Sequence, residues 1–185
     1  MIDVNDLRKG TTFSLDDQLY RVLEYSHNKP GRGNATIRTK IRNLRTSATM
    51  EKTFQSGDRV QDIRIENRQM QYLYHDGDLY HFMDTETFEQ IAMNGATLGE
   101  AVSYMTDNMS LVVQEYAGEP LGVELPTAVD LKVTAAEVSV RGDTATGATK
   151  SVTVETGFRV TVPLFVKAGD TIRIDTRTGE YITRV

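Results

Sequence analysis

Turn signals recur along this chain at intervals of roughly 8–12 residues, and the runs between them alternate apolar with polar side chains, as in β-sandwiches and small β-barrels. Asp16-Asp17, Ser56-Gly57-Asp58, Asp76-Gly77, Ala117-Gly118-Glu119, Ala168-Gly169-Asp170 and Arg177-Thr178-Gly179 supply the breaks. A period of two sends successive side chains to opposite faces, so each run buries one face only as part of a sheet. Met70-Gln71-Tyr72-Leu73-Tyr74, the Asp76-Gly77 turn and Leu79-Tyr80-His81-Phe82-Met83 predict the clearest hairpin. The best helix candidate covers residues 97–105, with Leu98, Ala101, Val102 and Met105 on one face. A second apolar stretch, residues 121–133, contains Pro126, a poor residue for a central strand, and a boundary is expected there. No tandem repeat is visible. The strands suffice for one small barrel in each third of an all-β chain, and five-stranded barrels of this kind often bind nucleic acid.

Charge divides the chain in the same three parts. The net charge of −5 is an average: residues 1–64 carry 12 basic and 8 acidic side chains, residues 65–126 carry Arg68 against 11 acids, and residues 127–185 carry 8 basic and 7 acidic. Such asymmetry argues for separate modules with separate surroundings. The expected domains are therefore 1–64, 65–126 and 127–185. The first can meet phosphates. The second should avoid them or face basic proteins. The 39% hydrophobic content supports real cores, and with no cysteine there are no disulfides, thiolate zinc sites or cysteine nucleophile. No apolar run reaches membrane-spanning length, and Met1-Ile2-Asp3-Val4-Asn5-Asp6 lacks the features of a signal peptide, so a cytoplasmic protein without a membrane partner is expected.

The basic character is concentrated in one predicted hairpin. Two strand-like arms, residues 18–28 and 35–44, enclose His27-Asn28-Lys29-Pro30-Gly31-Arg32-Gly33-Asn34. Pro-Gly and Gly-Asn are turn dipeptides, and the glycines tolerate positive φ. Arms of this length could carry a cation about 30 Å from their base. From Arg21 to Arg45 there are seven basic residues and one acid, Glu24. A cation on a basic stalk suits an RNA-lined cavity; the plainer alternative is a solvated turn on an edge hairpin.

No cluster of residues points to catalysis. His75 and His81 flank the Asp76-Gly77 turn, where they could face one another across the hairpin, but with Asp76, Asp78 and Asp84 they match no established metal-ligand spacing. No nucleophile elbow or P-loop is present. Glu115 and Glu119 flank a turn and read as solvated, and residues 141–150, rich in Gly, Thr and Ala, read as a loop. A chain with one elaborately presented cation and no acid–base cluster fits a factor that positions another molecule's reaction. It is read as a non-enzyme without cofactor or metal.

Several motifs in register then resemble bacterial translation elongation factor P over essentially the full length. They are Asp6-Leu7-Arg8-Lys9-Gly10, Lys29-Pro30-Gly31-Arg32-Gly33, Arg42-Asn43-Leu44 followed by Glu51-Lys52-Thr53-Phe54, Gln71-Tyr72-Leu73-Tyr74 and Phe82-Met83-Asp84. The last third is the most specific, with Val140-Arg141-Gly142-Asp143-Thr144, Lys150, Glu155-Thr156-Gly157, Val162-Pro163-Leu164-Phe165-Val166 and Asp175-Thr176-Arg177-Thr178-Gly179-Glu180-Tyr181. The resemblance implies an N-terminal SH3/KOW-like barrel and two OB-fold barrels in an L-shaped, tRNA-like outline.

It also implies a monomer that binds the 70S ribosome between the P and E sites and relieves stalling at consecutive prolines. Its contacts would be ribosomal RNA and P-site peptidyl-tRNA. Arg32 would meet the CCA end, with Lys29, Pro30, Gly31, Gly33 and Asn34 shaping the tip and Arg38, Lys40 and Arg42 contacting phosphates. Gly142, Asp143 and Thr144 would form the loop near the E-site codon. Where the family often carries a modified lysine, this chain has Arg32, so lysine-directed modification is excluded. Rhamnosylation by an arginine-modifying enzyme and a bare arginine both remain open, because Gly33 follows where the rhamnosylated branch usually has Asn. Two other readings are a paralogue of the same shape with a different client and a generic single-stranded RNA-binding OB protein. The latter calls for exposed aromatics among basic residues.

Overall fold

The computed structural model of the chain describes residues 1–31, 33–137 and 147–185. They form sixteen strands and a single α-helix of four residues, with no helix long and apolar enough to cross a membrane. Two compact units are present: residues 1–67 with 114–121, and residues 68–113 with 122–185.

In the first unit, β1 (Ile2–Asp3), β2 (Thr12–Leu15), β3 (Gln18–Asn28), β4 (Thr36–Asn43), β5 (Thr49–Gln55) and β6 (Arg59–Asp62) form one sheet in the order β1-β6-β2-β3-β4-β5. Asp16 and Asp17 join β2 to β3 with φ of 51° and 61°, the backbone a two-residue hairpin of type I′ requires. Alternation then fixes the faces. Ile37, Thr39, Ile41 and Asn43 of β4 point inward, where the isoleucines join Val4, Leu7, Phe13, Val22, Phe54 and Val60. Each such apolar side chain contributes roughly 1.5–3 kcal/mol on burial. The inward polar groups are satisfied: Thr39 Oγ1 donates to the Lys52 carbonyl at 2.9 Å, and Asn43 Nδ2 donates to Gln18 Oε1 at 3.0 Å. A second cluster, Leu19, Ile63 and Leu121, includes a residue of the 114–121 segment.

The remaining strands build two five-stranded sheets. The middle one holds β7 (Glu66–Asp76), β8 (Leu79–Asp84), β9 (Gln90–Asn94), β10 (Ser110–Tyr116) and β11 (Glu119–Glu124) in the order β11-β10-β7-β8-β9. The last one holds β12 (Ala128–Ala136), β13 (Thr149–Val154), β14 (Arg159–Pro163), β15 (Thr171–Asp175) and β16 (Tyr181–Arg184) in the order β14-β13-β12-β15-β16. Numbered from its own first strand, each sheet reads 3-2-1-4-5, so the topology repeats although the sequence does not. The expected all-β chain of three sheet domains is what forms. Pro126 lies between β11 and β12, outside both strands.

The helix candidate is corrected. Residues 97–105 do not form one helix: α1 spans Gly95–Leu98 and a 3₁₀ turn spans Gly99–Ser103. Gly99 adopts φ 59°, outside the right-handed helical region, and ends α1. Leu98 and Met105 are still buried, and Ala101 and Val102 still pack on the same core, because two short turns present the same face.

Glu115 is also corrected, whereas Glu119 is exposed as its place beside a turn suggests. Glu115 is 4% exposed. Glu119 takes a bidentate pair from Arg45, Nε to Oε1 at 2.8 Å and Nη2 to Oε2 at 3.0 Å. Arg45 hydrogen bonding holds the Glu119 carboxyl below its usual range and raises Arg45 in turn. Neither carboxylate was marked by its neighbours in sequence, since the partner of Glu119 lies 74 positions away.

Candidate nucleic-acid interface

The hairpin of β3 and β4 forms with the arms its sequence predicts. Pairing runs up to Asn28 opposite Thr36, and residues 29–35 connect the strands. Lys29, Pro30, Gly31, Gly33 and Asn34 are exposed, and Gly33 adopts φ 116°, a backbone that disfavours a side chain. Arg32 lies outside the described residues, between two exposed glycines. The Gly142, Asp143 and Thr144 loop also lies outside them.

Because Ile37, Thr39 and Ile41 face the core, Arg38, Lys40 and Arg42 share the outer face, about 6.6 Å apart along the strand. The register supplies their neighbours. Arg38 sits beside Ser26 and Thr53, Lys40 beside Glu24 and Glu51, and Arg42 beside Arg21 and Thr49. Lys40 Nζ reaches Glu24 Oε1 at 3.4 Å, so its charge is offset in place. Arg21, Arg38 and Arg42 have no ion pair or hydrogen bond through their guanidinium groups among the described residues. Arg21 directly opposite Arg42 is a like-charge pair that disfavours folding unless an anion intervenes. Three guanidiniums without ion-pair partners among the described residues, on the outer face of one hairpin whose connecting residues include a fourth arginine, are a geometry that can hold anions.

Arg21 belongs to the basic count of the hairpin, but the sequence alone does not place it with Arg38, Lys40 and Arg42 as a phosphate contact. The register slips between Val22 and Glu24, a bulge at Leu23. Plain alternation from inward Tyr25 would send Arg21 inward as well; the extra residue turns it outward beside Arg42. A bulge of this kind has no sequence signature beyond an odd spacing of buried residues, here Val22 and Tyr25. Arg45 belongs to the same basic count yet is committed to Glu119 and to the Asp17 carbonyl at 2.7 Å.

The histidines do not converge. His81 lies opposite Tyr74 and stacks on it at 4.6 Å, while His75 lies opposite Tyr80 and stacks at 5.3 Å. The two-residue turn of Gly77 and Asp78 pairs Asp76 with Leu79 and so sets the two histidines out of register, and the described residues contain no group of three or more metal-ligating side chains. Nor do the tyrosines form an exposed row: Tyr72 is buried, Tyr80 half-buried and Tyr74 exposed, with acidic residues around them.

Three family models cover the chain in succession: the elongation factor P KOW-like domain over residues 3–60, its OB domain over residues 65–123 and its C-terminal domain over residues 129–184. Elongation factor P of Moorella thermoacetica is 52% identical over 184 residues, covering all of both chains. Among solved structures, eukaryotic translation initiation factor 5A from Methanococcus jannaschii aligns with a TM-score of 0.55 at 22% identity, over 64% of this chain and 88% of that one. A translation initiation factor 5A family protein from Naegleria fowleri aligns with a TM-score of 0.52 at 15% identity, over 66% and 94%. Those two likenesses are of fold. The three successive domains and the full-length identity establish that this chain belongs to the elongation factor P family of translation elongation factors.

Proposed function

We propose that this chain binds the ribosome between the P and E sites and speeds peptide-bond formation at consecutive prolines by positioning peptidyl-tRNA. The observation that carries this reading is the strip of Arg21, Arg38 and Arg42, without carboxylate partners among the described residues, on the hairpin that leads to Arg32. The strip contacts ribosomal RNA phosphates, and Arg32 contacts the CCA end. Lys29 adds phosphate attraction at the turn. Lys40 acts less, being offset by Glu24.

The chain needs no proton-transfer group for this. Proline is a rigid secondary amine, and a proline-rich nascent chain holds the reacting ends apart. Fixing the tRNA end near its attack geometry removes part of the entropic barrier. A guanidinium suits the task, since it is always charged and offers a planar fork of donors. Gly142, Asp143 and Thr144 are assigned to the E-site codon, with Asp143 accepting from base or sugar donors.

The test is synthesis through a Pro-Pro-Pro stretch in a reconstituted system, with the factor made in its native host and in a host lacking arginine-modifying enzymes. Relief of the stall by both forms means the bare arginine suffices. Relief by the native form alone makes Arg32 a modification site. Relief by neither rejects the reading.

A further inference from the structure

We infer that a groove in the second unit, separate from the basic hairpin, binds an arginine side chain from a basic segment of a partner protein. The groove encloses about 590 Å³. Tyr72, His75 and Tyr80 give it an aromatic wall, while Asp107, Glu155 and Thr156 supply polar groups at its edge. Tyr80 packs on Tyr72 at 6.0 Å and on His75 at 5.3 Å, so the wall is a continuous run of flat rings.

Acidic residues in a groove do not by themselves make a site. The second observation is Tyr72. The residue is 2% exposed, yet its hydroxyl has no hydrogen-bond partner among the described residues. Among the described residues no fully buried side-chain polar atom lacks a partner, so this hydroxyl is a part of Tyr72 that reaches the groove surface. Burial, with the Asp107 charge adding to it, pushes the phenol up to about 12, so Tyr72 stays protonated at neutral pH. Thr156 Oγ1 already donates to the Ser103 carbonyl at 2.6 Å, and Glu155 Oε1 accepts the Lys132 backbone N–H at 2.9 Å. The exposed Asp107 carboxylate has no partner among the described residues, and Glu155 Oε2 is likewise uncommitted.

The occupant follows from this chemistry. Residues 65–126 carry 11 acids against Arg68, and the groove edge has two carboxylates, so a phosphate backbone is repelled. A guanidinium is favoured over an ammonium because it stacks flat on Tyr and His rings while its fork reaches carboxylates. The phenol oxygen of Tyr72 completes the site as an acceptor at its floor.

The test uses the full chain, labelled with ¹⁵N, titrated at low salt with acetyl-Gly-Arg-Gly-Arg-Gly-amide. Saturating shifts are expected at the amides of Tyr72, His75, Tyr80, Asp107 and Glu155. They should vanish when citrulline, the neutral isostere, replaces arginine. Asp107→Asn and Glu155→Gln should each weaken binding about fivefold with unchanged thermal stability, and Tyr72→Phe should weaken it about threefold. The inference is overturned by absent shifts, by equal binding of the citrulline peptide, or by an oligouridylate that shifts the same amides. Spermidine binding as tightly as the peptide would also overturn it, assigning the groove to a free polyamine. No arm involves a ribosome, so failure here leaves the hairpin reading intact. Arg32→Ala should leave peptide binding unchanged.

Discussion

The outer face of the β3–β4 hairpin and the turns at Asp84 and Asp175 use arginine in opposite ways. On the hairpin, Arg21, Arg38 and Arg42 share a face and have no ion-pair partner among the described residues, Glu24 being taken by Lys40. At the turns, each aspartate is saturated. Asp84 accepts the backbone N–H of Glu86 and Thr87 and both Nε and Nη2 of Arg68; Asp175 accepts the backbone N–H and the guanidinium of Arg177. One arrangement leaves charge for another molecule, and the other uses charge to close the fold. The composition of a segment therefore does not separate binding cations from structural ones; the register does.

The largest expected effect breaks the comparison on the hairpin side. Changing Arg21, Arg38 and Arg42 together to Ala should weaken ribosome binding most at low salt. It should flatten the dependence of log affinity on log salt by about 0.7 for each single-strand phosphate contact removed, with little change in melting temperature. Binding titrations across a salt series read both. Next is Gly179→Ala. Its φ is 75°, and an added Cβ would meet the Tyr104 hydroxyl at 3.0 Å and the Phe158 ring at 3.2 Å. A loss of about 1–2 kcal/mol by denaturant unfolding is expected. Phe88 holds the equivalent place in the Asp84 turn with φ 60° and 70% exposure, so Phe88→Gly should be neutral or slightly stabilising.

Arg45→Ala removes one cation of the same hairpin sequence as a control, and its effect is smaller again. It should cost roughly 0.5–1 kcal/mol of stability, since the pair with Glu119 is partly exposed, and leave the salt slope of binding unchanged. The smallest effect concerns acid. Asp84 is held at about 2 by the Thr87 and Glu86 N–H groups and Arg68, and Asp175 at about 2 by Arg177, against an ordinary 3.8. Both folded values are depressed, so their stabilisation is complete above the ordinary carboxylate range and fades as pH falls from about 4 toward 2. Asp84→Asn should lower stability at neutral pH and flatten the acid limb of a pH–stability curve.

Much of this was legible locally. The β3 arm ends at the residues its alternation predicts, and the β7–β8 hairpin forms where it is expected, although its two turn residues are Gly77 and Asp78, with Gly77 at φ 58° and Asp76 paired with Leu79 in the ladder. The Asp-Thr-x-Thr-x-Glu runs at 84–89 and 175–180 form the same hydrogen-bonded turn, yet one joins the second and third strands of its sheet and the other the fourth and fifth. Local sequence specifies the turn and not its place in the topology. The missed features are non-local or depend on a single backbone slip. Arg21 faces outward only because of the bulge at Leu23, Glu119 finds its partner far along the chain, and Gly99 divides what periodicity presents as one helix.

The most direct measurement is the rate of peptide-bond formation through Pro-Pro-Pro with Arg32→Ala added at saturating concentration, beside the wild-type chain. The account predicts a loss of at least about tenfold, or ~1.4 kcal/mol of barrier lowering, that more factor does not restore, with the melting temperature unchanged. Full relief of the stall by the saturating variant would contradict it, because the hairpin would then bind the ribosome without positioning the tRNA.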